Sequence, residues 1–408
     1  MVQFLTFIYL GYMFVAMYFL SLFLLLYFKN KEHLFEIPQI TKKYSVSVLV
    51  PAYNEEDTIA NTIKSIFDSK YPLKEVIILN DGSKDNTGKI ANSLKKRYPN
   101  LKVINKPNSG KADSLNQGIK IAKGELIAVV DADSYPAKDA FKNLIGFFDD
   151  KQVGVATPFI VPRNRAIFFE RLQVVEYNVI AFTRKLLGYV DAIYVTPGPL
   201  AIYRKSALQK IGGFDTKNMT EDIEATWHLT KEGYKRKMCL LSSATTTVPV
   251  KISVWYRQRR RWNIGGLQCI SKYKKYFLRK GMLGVFILPF FVLQLFLGLL
   301  GLSIFFYLLI SRSISRYLFT KYSVQVGTPI LTLEDFYITP SFLNYLGVVL
   351  FILGALFTVM VLWIMKDSVL KKQNTFNILF YLLFYLTVYP FIMIASLYHY
   401  FKGTWKWR

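Results

Sequence analysis

Acidic side chains follow three apolar runs of the sequence, at the point where each run ends. Glu55 comes after SVSVLVPAYN, Asp81 closes EVIILN, and Asp131 and Asp133 close ELIAVV. Carboxylates that are held together repel one another unless a cation neutralises them. Because Asp131 and Asp133 are spaced i, i+2, both can face one hard divalent cation. We predict a Mg²⁺ or Mn²⁺ site there, shared with substrate phosphate, although each residue alone is more typical of a loop carboxylate or a helix cap.

A glycine-containing turn, NSGKADSLNQG (108–118), leads into a segment with helical spacing. Backbone N–H groups at a helix N-terminus favour phosphate, and Lys111 adds a positive charge. The alternative is an ordinary helix start, and the pattern alone does not decide between them.

The triplet TED (220–222) follows a Gly-Gly turn and opens a segment with helical spacing. By itself, Asp222 is typical of a first-turn acid that complements the helix dipole. The other interpretation is a loop at the mouth of a site, with Glu221 in support.

The string VWYRQRRRWN (254–263) combines four arginines with two tryptophans, shortly before a long apolar run. One interpretation is a topology signal, since positive charge accumulates on the cytoplasmic side of membrane spans. The other is a binding surface for a phosphate-rich ligand, because arginine is a planar, permanently charged donor that suits diphosphate oxygens. The tryptophans would add a surface for something flat.

An alternation of strands and helices must position these residues. Residues 45–160 contain continuous apolar, β-branched runs separated by segments with helical spacing at 56–69, 85–97 and 111–122. This order predicts an α/β fold with a mostly parallel sheet that is buried on both faces. Ligands of such sheets bind at the carboxyl ends of the strands, which is where the acidic residues stand.

Long apolar runs account for much of the 52% hydrophobic content of this 408-residue chain. They cover residues 4–28, 283–310, 342–365 and 376–400, and a span needs about 20 apolar residues. We therefore predict about four transmembrane helices, with a polar loop at 311–341. The first run is expected to be a retained span (residues 1–30) rather than a cleaved signal peptide, since it lacks a basic start and a cleavage site.

The net charge of +25 is concentrated beside these spans. Lysines cluster after the first and before the second, which fits anionic lipid headgroups as partners better than nucleic acid. The positive-inside rule places residues 31–263 in the cytoplasm of a multi-pass plasma-membrane protein. Residues 264–281 are predicted to be an interfacial segment, and residues 282–408 the C-terminal membrane region.

Taken in order, PAYNEE, NDGSKDNT, GKADSLNQG, DADS, TED and QRRRW resemble the processive inverting glycosyltransferases of family two, such as cellulose, chitin, hyaluronan and poly-N-acetylglucosamine synthases. The resemblance covers about residues 45–265 and the layout of the flanking spans. It implies a GT-A-type domain inserted between transmembrane helices, a UDP-sugar donor and Mg²⁺ or Mn²⁺. The single-span start is closest to poly-N-acetylglucosamine synthases, whereas TPGPLAIYR (196–204) is closer to the hyaluronan and chitin branch, so the polymer stays open.

The resemblance also implies roles on the donor side. Tyr53, Glu55 and Asp81 would line the nucleoside pocket, and Lys111 would lie near the nucleotide. Asp131 and Asp133 would hold the metal on the diphosphate, with Asp133 as the firmer direct ligand.

On the acceptor side, the resemblance makes Asp222 the general base and places Gly198 beside the acceptor. Gln258, Arg261 and Trp262 match the motif QxxRW, which serves the donor diphosphate and the end of the polymer. Arg259 and Arg260 occupy the variable places, where they bind lipid phosphate in one interpretation.

The function predicted first is a processive β-glycosyltransferase that extends the non-reducing end of a polysaccharide, from UDP-N-acetylglucosamine, and exports it through its spans. The second is transfer of a single sugar to a lipid-linked acceptor. The third is a non-catalytic membrane protein that binds a sugar nucleotide. An accessory subunit is compatible with all three.

Overall fold

The computed structural model describes residues 2–279, 281–327, 342–365 and 375–405. Helix α1 (Val2–Asn30) precedes an α/β domain. The first half of that domain contains β1 (Val46–Ala52), α2 (Ile59–Phe67), β2 (Glu75–Asp81), α3 (Thr87–Leu94), β3 (Leu101–Lys106), α4 (Lys111–Ile121), β4 (Leu126–Val129) and β5 (Ser134–Pro136). The second half contains α5 (Lys142–Ile145), β6 (Val153–Pro162), α6 (Phe168–Gly188), β7 (Ala201–Arg204), α7 (Lys205–Lys210), α8 (Glu221–Lys231) and β8 (Lys235–Thr246).

The strands form one sheet in the order β3-β2-β1-β4-β7-β6-β8-β5. Strands β3, β2, β1 and β4 run parallel to one another, as the sequence predicts. The other half is mixed: β6 and β8 are parallel, whereas β7 is antiparallel to β4 and β6, and β5 is antiparallel to β8. The sequence pattern did not indicate this half, since β5 and β7 have only three and four residues.

Strands β1, β2 and β4 are apolar on both faces, which explains their continuous hydrophobic runs. Val48 of β1 packs into the core on one side of the sheet, and Leu49 packs into the core on the other side. Ile63 of α2 covers the first face, and Leu115 of α4 covers the second. The carboxyl ends of β1, β2 and β4 are therefore held at one edge by packing on both sides.

Helix α9 (Ile252–Tyr273) leads from the sheet towards the membrane helices. It runs without a break across position 263, so the segment 264–281 begins inside it. Ile264 and Tyr273 are buried within the protein, whereas Phe277 and Leu278 are exposed. An interfacial location stays a prediction for that exposed end.

Three helical stretches of the described residues are long and apolar enough to cross a membrane, namely Thr6–His33, Leu283–Val326 and Thr375–Lys402. Helix α11 (Phe342–Ile364) lies where the remaining span is predicted, and its apolar part Val348–Ile364 is shorter. Large apolar side chains point outward from these helices, with Phe14 73% and Phe401 81% exposed. Such a surface is suited to lipid.

Helix α10 (Leu288–Val326) shows that the predicted loop at 311–341 is wrong in its first part. The helix continues to Val326 because no glycine or proline interrupts residues 311–326, and it ends at Gly327 in the left-handed conformation. Residues 328–341 lie outside the described residues.

The last membrane helix is irregular in the middle. After α12 (Thr375–Phe380) it passes through a π-helical turn (Tyr381–Tyr385) and a 3₁₀ turn (Leu386–Val388) before α13 (Tyr389–Lys402). Such π-turns inside helices are frequent at functional sites.

Candidate active site

A cavity of about 770 Å³ lies between the edge of the sheet and the membrane helices. Most of the predicted site residues line it: Lys111, Asp131, Asp133, Gly198, Asp222, Gln258, Arg261 and Trp262. Glu221 lines it as well. The motifs at five separate places in the sequence therefore meet at one site.

Lys111, the first residue of α4, joins two of these motifs. Its Nζ lies 2.6 Å from Oδ1 of Asp131 and 2.7 Å from Oε1 of Glu221. Burial acts to lower the pKa of Lys111, but the charges of Asp131 and Glu221 outweigh burial and hold the pKa above its usual value. The ammonium group is thus fixed and permanently charged at the centre of the cavity.

Gly198 in the TPGP turn allows this ion pair to form. A Cβ at this position would lie 2.5 Å from Oδ2 of Asp131 and 2.8 Å from Nζ of Lys111. Any side chain would displace the pair, so the glycine is a requirement of the site and not only of the turn.

Asp131 and Asp133, which follow β4, provide oxygen donors suited to a hard cation. Burial, and then the charge of Asp131, raise the pKa of the Asp133 carboxyl. The described residues contain no group of three or more His, Cys, Asp or Glu side chains that could hold a metal. A divalent ion here would therefore take its remaining ligands from substrate phosphate and water.

Asp222 lies in the first turn of α8 and also faces the cavity, so the two interpretations of the TED motif are compatible. Burial, and then the adjacent charge of Glu221, raise the pKa of the Asp222 carboxyl to about 6, against the opposing effect of Lys111. A general base works best with a pKa close to the operating pH.

Helix α9 positions this acid from the side of the membrane. A side chain at Gly265 would collide with Thr220, so the two backbones approach closely. The N–H of Met219 donates to Oε1 of Gln268 at 2.8 Å. Further along, Lys272 lies 2.6 Å from Oε1 of Glu224. Helix α9 carries the QRRRW segment as well as Gly265, Gln268 and Lys272. The contacts of these three residues therefore fix Asp222 relative to QRRRW.

Arg259 shows that a lipid-facing interpretation of the QRRRW arginines is wrong for this residue. It is 2% exposed, and its guanidinium lies 2.6 Å from Oε2 of Glu176 in α6. It also donates to Oε1 of Gln258 at 3.1 Å and lies 4.0 Å from the ring centroid of Trp262. Arg259 therefore contacts two of the three motif residues and holds them in place.

The irregular part of the last membrane helix reaches the same ion pair. The hydroxyl of Tyr385 donates to Oε2 of Glu176 at 2.8 Å, and Tyr389 donates to Oε1. Trp255 donates from Nε1 to the Tyr385 hydroxyl at 2.8 Å. Sequence reasoning missed Glu176 and both tyrosines, since no local motif marks them.

Three predicted site residues lie at the ends of β1 and β2 and do not line the cavity: Tyr53, Glu55 and Asp81. Asp81 accepts hydrogen bonds from Lys106 and from the N–H groups of Ser109 (2.9 Å) and Gly110 (2.8 Å). Burial acts to raise the pKa of Asp81, but these donors outweigh burial and hold the pKa below its usual value. Asp81 thus orders the turn before α4, and its nucleoside role stays a prediction.

The raised pKa of Asp222 predicts a pH dependence of the reaction. Below about pH 6 the carboxyl is protonated and cannot accept a proton, so the rate is expected to rise about tenfold per pH unit up to that value and then level off. Initial rates at saturating donor between pH 4.5 and 8 measure this. A rate that stays constant down to pH 4.5 would contradict the assignment.

The chain is similar to known proteins over much of its length. Residues 47–212 match the family model described as glycosyl transferase family 2. The chain is 30% identical over 356 residues to a poly-beta-1,6-N-acetyl-D-glucosamine synthase of Staphylococcus epidermidis, which covers 86% of this chain and 81% of that protein. A synthase of the same name from Staphylococcus aureus is 33% identical over 229 residues, 56% of each chain.

A solved structure shares the fold over nearly the whole chain. It is a mannosyltransferase from Pyrobaculum calidifontis in complex with GDP-Man and Mn²⁺, with a TM-score of 0.61 and 18% identity, covering 97% of this chain and 99% of that one. The chain belongs to glycosyl transferase family 2, and the predicted GT-A-like fold and enzyme class are confirmed. Within that family, the chain is similar to the staphylococcal poly-β-1,6-N-acetyl-D-glucosamine synthases.

Proposed function

We propose that this glycosyltransferase transfers N-acetylglucosamine from UDP-N-acetylglucosamine to the non-reducing end of a growing β-linked polysaccharide and moves the product across the membrane. One observation carries the proposal. The cavity that holds Asp222 continues between three membrane helices, where it is lined by Tyr12 of α1, Gln294 of α10 and Met393 of α13. A cavity that extends from the α/β domain between the membrane helices can hold a chain of sugars whose terminal hydroxyl lies at the general base, Asp222. The names of the relatives support the choice of sugar.

Inversion at the anomeric carbon requires a base and a stabilised leaving group. Asp222 accepts the proton of the acceptor hydroxyl, whose oxygen attacks the anomeric carbon from the face opposite the diphosphate. Lys111 and Arg261 stabilise the negative charge that develops on the departing UDP. Asp131 and Asp133 would hold a divalent cation, which neutralises diphosphate charge when it is bound.

The proposed location follows from the donor. Sugar nucleotides are made in the cytoplasm, so the α/β domain faces the cytoplasm, as the flanking lysines indicate, and the spans cross the plasma membrane. The C-terminal helices, residues 282–408, supply the wall of the polymer path. The exposed end of the segment 264–281 lies at the headgroups.

The proposal is tested with the full chain in proteoliposomes and Mn²⁺ or Mg²⁺. UDP-N-acetylglucosamine, UDP-glucose and UDP-glucuronate are supplied singly and in pairs, and products are sized and digested with linkage-specific hydrolases. We expect a long polymer from UDP-N-acetylglucosamine alone, which EDTA prevents. A requirement for two donors would indicate an alternating polymer. A single sugar on extracted lipid would replace the proposal with the lipid-linked alternative.

Trp262→Ala is expected to lower the elongation rate roughly tenfold while hydrolysis of the donor changes little, because stacking on the acceptor sugar is lost and the diphosphate contacts remain. Polymer formation and UDP release without acceptor are measured in parallel. Trp363→Ala is the matched control, since Trp363 is 67% exposed on α11. An equal loss in both reactions would argue against an acceptor role for Trp262.

A further inference from the structure

Arg184 of α6 is a buried cation in the wall of the cavity. It is 8% exposed, and the cavity that holds Asp222 and Trp262 borders its side chain. Within the described part of the chain, its Nε has no hydrogen-bond partner. No role is assigned to it by the motifs or by the mechanism above.

The other buried arginines among the described residues, Arg236 and Arg259, are paired, which makes Arg184 different. Arg236, 2% exposed, donates to the carbonyl groups of Tyr234 at 2.6 Å and Ile193 at 3.3 Å. Arg259, equally buried, pairs with Glu176 at 2.6 Å. A buried charge without a partner costs several kcal/mol, so a fold retains one where a ligand completes it.

The surroundings of Arg184 determine which ligand fits. Burial lowers the pKa of Arg184, and the nearby Tyr194 and Asp222 raise it only in part. A guanidinium remains charged under these conditions, and its N–H groups donate to oxygen acceptors from a planar fork. An occupant with several oxygen acceptors would satisfy it.

Arg184 and the base Asp222 line the same cavity, which favours a neutral occupant beside Arg184 over a phosphate. A lipid phosphate beside Arg184 would add negative charge close to Asp222, whose carboxylate must act as a base. A saccharide with acetamido and hydroxyl groups brings oxygen acceptors without charge.

We infer that Arg184 binds the acceptor saccharide, through the acetamido carbonyl and hydroxyl oxygens of a sugar near the transfer site, and selects against acceptors with a free amino group. This inference rests on the proposed function. An amino sugar is partly protonated at neutral pH. Its ammonium form repels the guanidinium, and both of its forms lack the carbonyl oxygen. Arg184 is therefore a specificity residue for an N-acetylated polymer.

The test compares β-1,6-linked glucosamine oligosaccharides that are fully N-acetylated with the same oligosaccharides after deacetylation, as acceptors for the full chain in proteoliposomes. The wild type is expected to use the acetylated acceptors at least about tenfold better. Arg184→Met is expected to raise the KM for the acetylated acceptor about tenfold and to reduce the preference, with the donor KM and donor hydrolysis unchanged. Arg97→Met, at an exposed arginine, is the matched control.

Arg184→Lys separates charge from shape, because it keeps the repulsion of amines but loses the planar fork. We expect it to retain selectivity and to bind the acetylated acceptor more weakly. Arg184→Lys also replaces Arg184→Met as the test variant if Arg184→Met does not fold. A wild type without preference for acetylated acceptors would overturn the inference regardless of any variant.

The remaining outcomes separate this inference from the proposed function. A wild type that makes polymer while Arg184→Met keeps its acceptor KM and its preference would overturn only the role of Arg184. A rise confined to the donor KM would assign Arg184 to the diphosphate instead. Inhibition of the wild type, but not of Arg184→Met, by vesicles with an isoprenyl phosphate would replace the saccharide with a lipid phosphate. A wild type that makes no polymer overturns both proposals.

Discussion

Asp222→Asn is expected to lower the rate of sugar transfer by about 10²–10⁴-fold while UDP-N-acetylglucosamine still binds. Asparagine keeps the size of the side chain but cannot accept the proton of the acceptor hydroxyl. Donor binding survives because the ion pairs of Lys111 with Asp131 and Glu221 do not involve Asp222. Incorporation of labelled sugar gives the rate, and calorimetric titration gives the donor affinity.

Two further variants make this result interpretable. Asp57→Asn changes an exposed carboxylate outside the cavity and is expected to leave transfer unaffected. Glu221→Gln removes one partner of Lys111, so we expect weaker donor binding together with slower transfer. Transfer by Asp222→Asn at the native rate would show that another group takes the proton.

The carboxylates and the fold that holds them are predictable from the sequence to different degrees. Strands β1, β2 and β4 are apolar runs with acidic residues at or just after their ends, and they lie where the pattern places them. Asp222 is identified by an ordered set of motifs. The pKa of Asp222 cannot be predicted from these motifs, because it depends on burial, on Glu221 and on Lys111, which lies more than 100 residues earlier.

The remainder of the site depends on contacts between distant segments. The sequence TPGP is typical of a turn, and only the position of Asp131 and Lys111 shows why Gly198 has no side chain. The short strands β5 and β7 carry too little periodicity to be recognised. For Arg259, a run of arginines beside a membrane span suggests lipid phosphate, whereas its partner Glu176 lies 83 residues away.

The ion pair of Arg259 and Glu176 is expected to be the strongest link between the α/β domain and the membrane helices. Removing one partner, as in Arg259→Met or Glu176→Gln, leaves a buried charge or buried polar atoms unpaired. We expect each single change to destabilise the protein, by about 3–5 kcal/mol for Arg259→Met, and thermal unfolding in detergent measures the lowered midpoint. Glu125→Gln, which breaks the exposed pair with Lys42, is the control, with an expected change of about 0–1 kcal/mol.

A functional measurement separates positioning of the motif from stability alone. Because Arg259 contacts Gln258 and lies over the ring of Trp262, its loss is expected to raise the acceptor KM at temperatures where the variant is fully folded. The donor KM is expected to stay close to the wild-type value, since Lys111 and Asp131 are paired with each other and not with Arg259. Equal changes in the acceptor KM and the donor KM would show that the pair of Arg259 and Glu176 stabilises the fold without positioning the motif.

The double variant Glu176→Gln, Arg259→Met completes the cycle. Its destabilisation is expected to be smaller than the sum of the single changes, because neither buried charge is left without a partner. Tyr385→Phe and Tyr389→Phe each remove one hydroxyl donor from Glu176 and are expected to have the same effects at a smaller scale. If the tyrosine variants also raise the acceptor KM, the irregular turn of the last membrane helix is coupled to the ring of Trp262. The helix that lines the polymer path would then also set the position of the residue that holds the polymer end.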